Sequence, residues 1–179
     1  MLVRYGKAVE IFANLLEKFQ VEAVYTNHDY EPYAAERDKA VDTFLTSKGI
    51  DFKTFKDQVI FEKGEVVKDD GKPYTVFTPY SRKWRAALKP ENLESFPSEE
   101  YLNRCYKTDP EQDFKLVETG FKLVDVNFPG SDPDKGIIKN YDKTRDIPSL
   151  DGTSRLGVHL RFGTISIRRL AKYASTHND

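Results

Sequence analysis

Over residues 2–55 the hydrophobic pattern switches between helix and strand periods, and this feature constrains the fold more than any other. Ala8, Phe12, Leu15, Leu16 and Phe19 recur at helical spacing across 8–19, and the run VEAVY at 21–25 favours an extended strand. A second cycle follows. Arg37, Ala40, Val41, Phe44 and Leu45 share one face of a helix over 34–48, Gly49 stands where that helix ends, and 50–55 resumes β character. With Leu2 to Tyr5 in front, the order is β-α-β-α-β. It predicts right-handed crossovers and parallel strands near 2–5, 21–26 and 51–55, with both helices packed on them. Doubly wound domains usually contain more strands than this, and the chain opens directly on one. The expected class is therefore α/β with an incomplete parallel sheet, within a longer protein.

After Asp57 the alternation stops. The stretch VIFEKGEVVKDDGKPYTVFTPY places a Lys68-Asp69-Asp70-Gly71 turn between β-prone arms, which predicts a loose hairpin or a long excursion. A short helix over 80–89, ended by Pro90, comes next. Prolines at 90, 97, 110, 129 and 133 among polar residues describe a linker, with helical hints only at 98–104 and 113–118. GSDPDKG at 130–136 marks a turn. Helices are then expected over 137–143, 154–161 and 166–174, the last with Ile167, Leu170, Ala171 and Ala174 on one stripe. The chain thus divides into 1–89, an α/β part with its trailing hairpin and helix; 90–130, a linker; and 131–179, the start of an all-α domain.

With 28 Lys+Arg against 29 Asp+Glu, the net charge of -1 excludes a basic tail and leaves only local basic faces for a polyanion. No run nears the ~18 apolar residues of a membrane helix, so a soluble, cytoplasmic chain is expected. Cys105 is the single cysteine, which excludes an internal disulfide and a cysteine-based zinc cluster.

Residues 151–157, Asp-Gly-Thr-Ser-Arg-Leu-Gly, put a flexible glycine, two hydroxyls and an arginine at the expected start of a helix. Free N–H groups, hydroxyls and a guanidinium there suit a phosphate. An ordinary N-cap by Thr153 or Ser154 accounts for the same heptapeptide. At 27–33, Asn-His-Asp-Tyr-Glu-Pro-Tyr follows a strand, where open α/β sheets place ligands. His28, Asp29 and Glu31 suit a solvated turn and helix start better than a metal or acid–base site. His159 and His177 have no nucleophile at recognisable spacing. Trp84 with Arg82, Lys83 and Arg85 describes either a basic, aromatic surface for a nucleic acid strand or an anchored helix with a solvated face.

Four segments resemble the photolyase/cryptochrome family of flavin photoreceptors: NHDYEPYAAERD (27–38), FKDQVIFEKGEVVKDDGKPYTVFTPYSRKW (55–84), YDKTRDIPSLDGTSRL (141–156) and HLRFGTISIRRL (159–170). They occur in the family's order and close to its spacing. The resemblance implies a region running from inside the amino-terminal α/β domain, through the interdomain connection, into the first helices of the flavin-binding domain. It carries FAD contacts onto Tyr141, Thr153, Ser154, Arg155 and Leu156, and a DNA-backbone contact onto Arg145. Gly157 and Val158 stand where relatives usually have Ser-Pro, so no serine hydroxyl is available at 157. Tyr33 and Ala34 lie near the Asn and Glu of folate-carrying relatives, which leaves the antenna chromophore unknown.

The activity implied for the parent protein is a deoxyribodipyrimidine photolyase: light-excited reduced FAD gives an electron to a cyclobutane pyrimidine dimer flipped out of UV-damaged DNA. The alternative is a cryptochrome with a signalling partner. A third reading, a domain binding some other phosphate-bearing ligand, requires the four matches to be coincidence. The 179 residues alone are expected to be colourless and inactive, with no metal or membrane partner, and either to pair their unpartnered apolar stripe with a second copy or to leave it mobile.

Overall fold

A computed structural model of the chain describes residues 2–107 and 115–177. Its contacts divide into two units, Met1–Asp57 with Ser98–Val126, and Gln58–Pro97 with Asn127–Asp179.

The first unit is built on a parallel pair of strands. Strand β1 (Ala23–Asn27) runs beside β2 (Asp51–Phe55) in the register Ala23 to Asp51 through Asn27 to Phe55. Helix α1 (Ala8–Lys18) precedes β1, and α2 (Pro32–Ser47) makes the crossover between the strands. Pro32 opens α2 in its first turn, where the missing N–H costs nothing. Ala34, Val41 and Leu45 form its buried stripe; Ala40, expected on that face, is exposed. At the far end Gly49, at φ +73°, donates to the Thr46 carbonyl at 3.0 Å while Ile50 donates to Leu45 at 3.0 Å. These two bonds define a Schellman stop, for which a left-handed residue is needed.

Residues 2–5 form no strand. A strand exists through its neighbour's ladder, and here the Val3 carbonyl accepts from the Arg4 guanidinium of its own segment at 2.8 Å. Among the described residues the fold is therefore α/β with a two-stranded sheet. Tyr25, Lys53 and Phe55 share one face of it, where the rings of Tyr25 and Phe55 stack at 6.1 Å and remain 64% and 52% exposed.

In the second unit the stretch 58–76 is an excursion and not a hairpin. Lys68 donates to the Lys72 carbonyl and Gly71 to that of Lys68, each at 2.9 Å, which closes the turn. Beyond it Pro73 has no N–H for a ladder, and no strand forms. Helix α3 (Phe77–Ala87) follows, then short 3-10 turns at Pro90–Leu93 and, in the first unit, Ser98–Arg104 and Leu116–Thr119. Residues 113 and 114 of the expected helical stretch at 113–118 lie outside the described residues. The chain ends in short helices: α4 (Lys135–Lys139), α5 (Tyr141–Thr144), α6 (Gly157–Arg161) and α7 (Ile167–Ser175). Asp134 caps α4 by accepting from Ile137 N at 2.8 Å, and Ser166 caps α7 by accepting from Arg169 N at 3.4 Å.

Candidate functional site

The segment 151–156 is anchored at both ends and open in the middle. Gly152 is buried against Thr144 of α5 so closely that a Cβ there would lie 2.6 Å from Thr144 Cβ and 3.0 Å from its carbonyl oxygen. Thr144 Oγ1 also donates to the Gly152 carbonyl at 3.2 Å. At the other end Leu156 is only 2% exposed. Between these anchors Thr153 is exposed and Ser154 half-buried, and among the described residues no protein group accepts from the backbone N–H of either. Arg155 is the one non-glycine residue among those described with a left-handed backbone, at φ 51°. Its guanidinium donates to Asp151 Oδ1 at 2.9 Å.

That conformation corrects the expected helix over 154–161. A left-handed residue cannot sit inside a right-handed helix, so α6 begins at Gly157 and has five residues, too few for a useful dipole. Anion-binding capacity at 153–155 therefore resides in side chains and loop N–H groups. The Gly152–Thr144 contact joins this loop to α5, which carries Tyr141 and is followed by Arg145. The Arg145 guanidinium lies 5.9 Å from the Tyr141 ring centroid, with Nε 3.7 Å from Asp146, and its side chain is 50% exposed.

The other sequence candidates make local contacts. At 27–33, Asp29 Oδ1 accepts from Glu31 N at 3.1 Å in a turn that leads into α2, and His28 Nε2 meets Thr54 Oγ1 at 2.9 Å. Tyr33 is exposed and Ala34 buried. Trp84 packs edge-on against Phe61 at 5.4 Å. Lys83 pairs with Asp69 at 3.0 Å, a hydrogen bond that raises its pKa above the ordinary lysine value. His177 stacks on Tyr173 at 4.2 Å. The described residues hold no cluster of three or more His, Cys, Asp or Glu placed for a metal ion, and no helix long and apolar enough to cross a membrane.

His159 is the polar residue whose role the sequence concealed. It is 6% exposed; Nε2 donates to the Pro129 carbonyl at 2.8 Å, and Nδ1 meets Thr164 Oγ1 at 2.8 Å. Phe128 packs edge-on to the ring at 5.3 Å. The imidazole thus ties residues 128–129 to α6, the helix that follows the candidate loop in the chain. His159→Ala is expected to destabilise this unit by about 2–3 kcal/mol, through a cavity and an unsatisfied carbonyl. Thermal unfolding of the variant checks this, and an unchanged midpoint would remove the tie from the account.

A parallel β-α-β layer, a long irregular connection and a run of short helices define a class: α/β proteins with a helical extension. The DNA photolyase family model matches residues 1–100, and the chain belongs to that family. Deoxyribodipyrimidine photo-lyases of Halobacterium salinarum and of a Synechococcus strain are each 30% identical to it, over 97% and 98% of the chain. The chain spans 38% and 39% of their lengths. The fold matches a class III photolyase from Agrobacterium tumefaciens (TM-score 0.70, 23% identity, 97% of this chain and 39% of that one). It also matches an archaeal photolyase from Sulfolobus tokodaii that was solved with two FAD molecules (TM-score 0.55, 21% identity, 93% and 36%).

Proposed function

We propose that this chain forms part of a light-driven DNA photolyase, in which the loop 153–156 and Tyr141 contact FAD and Arg145 contacts the backbone of UV-damaged DNA. One observation carries the reading. A non-glycine residue is held in a sparsely populated conformation, φ 51° at Arg155, beside two unclaimed backbone N–H groups and two hydroxyls. Strain of ~1–3 kcal/mol persists at such a residue when the surrounding structure holds it, and here it gathers two unclaimed N–H groups beside a guanidinium that Asp151 occupies only in part.

The donor set fits a pyrophosphate: a guanidinium, two hydroxyls and free N–H groups, with Gly157 leaving open space at its Cα. When bound, FAD would supply the photochemistry, an electron transfer that the side chains here do not perform. Thr153, Ser154 and Arg155 would hold its phosphates, and the Tyr141 ring would pack beside them. Arg145, half exposed one residue beyond α5, has a guanidinium fork suited to a DNA phosphate.

The test is an NMR titration of the 179-residue chain with FAD. Shift changes at Tyr141 and 153–156, half-saturating near ~1 mM, are expected from a few exposed phosphate contacts worth roughly 4 kcal/mol. Changes spread elsewhere, with these residues silent, would overturn the assignment.

A further inference from the structure

Asp151 and Arg155 are four residues apart, the spacing of a helical ion pair, yet no helix lies between them. The pair therefore closes across a loop whose backbone is fixed at Gly152 and Leu156, and the Arg155 side chain folds back toward Asp151. Asp151 accepts from Nη2, and no described protein group takes the other guanidinium donors. A carboxylate beside a phosphate-type site is costly unless it serves the cation, because its charge repels the ligand. Resting on the phosphate reading of this loop, we propose that Asp151 is a positioning residue, holding the Arg155 guanidinium in place at this loop so that its remaining N–H groups can meet an incoming pyrophosphate.

The physical basis is entropy. A free arginine side chain gives up its rotamer freedom when it grips an anion, and a side chain already tethered gives up less. Both partners are largely exposed, at 66% and 72%, so the tether is weak and its effect modest. Asn at 151 keeps an oxygen acceptor for Nη2 without the charge, whereas Ala removes both.

The experiment compares the wild-type chain with Asp151→Ala and Asp151→Asn, using inorganic pyrophosphate as the probe and two NMR readouts. The first is the mobility of the Arg155 Nε–Hε group by nitrogen relaxation. The second is the pyrophosphate dissociation constant from shifts at 153–155. Expected are an ordered Arg155 in wild type and Asp151→Asn, a mobile one in Asp151→Ala, and pyrophosphate binding weakened about three- to fivefold in Asp151→Ala but not in Asp151→Asn. Equal or tighter binding by Asp151→Ala would overturn this inference alone, because charge repulsion would then outweigh positioning. No response at 153–155 in the wild-type chain would overturn the phosphate reading with it. Both partners being exposed, the variants should keep the wild-type spectrum elsewhere, which serves as the folding control.

Discussion

The purified 179-residue chain is expected to be colourless, and added FAD should bind near the millimolar range and not the micromolar. Flavin-sized ligands are held by enclosure: a cofactor pocket normally buries ~70–90% of its occupant. Apart from Leu156, which is buried, the residues proposed to meet FAD lie on an open or half-open surface, with Tyr141 37% and the Arg155 side chain 66% exposed. The clefts of about 230 Å³ at Asp132, Arg169 and Tyr173, and of about 260 Å³ at Tyr5, Ile11 and Leu15, are lined by other residues and fall below the usual ligand-pocket range. A handful of exposed contacts near 4 kcal/mol corresponds to ~1 mM, whereas micromolar binding needs about twice that free energy. The absorbance spectrum of freshly purified protein, followed by FAD titration, decides the matter. A stoichiometric yellow colour would show that the described surface already suffices. The same openness predicts no photorepair by this chain on its own.

The second large effect is expected at Gly152. In Gly152→Ala the new methyl would meet Thr144 Cβ at 2.6 Å, Oγ1 at 2.7 Å and the Thr144 carbonyl at 3.0 Å, all inside normal contact. Thr144 cannot easily yield, since the single Oγ1 proton is shared between the Asn140 carbonyl at 3.0 Å and the Gly152 carbonyl at 3.2 Å, and the clashing carbonyl is backbone. Either α5 and the loop separate or the Thr144 hydroxyl loses both partners. The cost should be about 2–3 kcal/mol in unfolding free energy. The same variant should also weaken FAD shifts at Tyr141 and 153–156 together, because the contact holds the two elements to each other. Thr144→Gly in the same chain removes the obstructing side chain and should recover part of the stability, as a double-mutant cycle would measure. Full stability in Gly152→Ala alone would show that this close approach is not needed.

Much of the local structure was legible because it is encoded within a few residues. Strand β2 falls at 51–55 as read, and Gly49 terminates α2 because no side chain then obstructs a positive φ. The helices near 8–18 and 167–175 follow their apolar spacing. The interior of the second unit was not legible. Arg168, on the polar side of the expected α7 stripe, is only 9% exposed and lies 5.2 Å from the Phe96 ring centroid, while Ile167, Leu170, Ala171 and Ala174 are merely half-buried. An arginine stem packs as an apolar rod while its head keeps an aromatic partner, so polarity alone misplaced the buried face.

By itself the sequence determined the alternation of helices and strands, the parallel sense of the sheet, the family, and which short segment collects hydroxyls, a glycine and an arginine. These depend on period, local propensity and residue chemistry. Only the tertiary structure decided that residues 2–5 form no strand, that 58–76 is an excursion, and that Arg155 turns left-handed between Gly152 and Leu156. Each of these outcomes is settled by a partner distant in sequence or by packing at a neighbouring residue. A strand needs a ladder from elsewhere in the chain, and a strained backbone needs its surroundings to hold it, so neither can be read from local pattern.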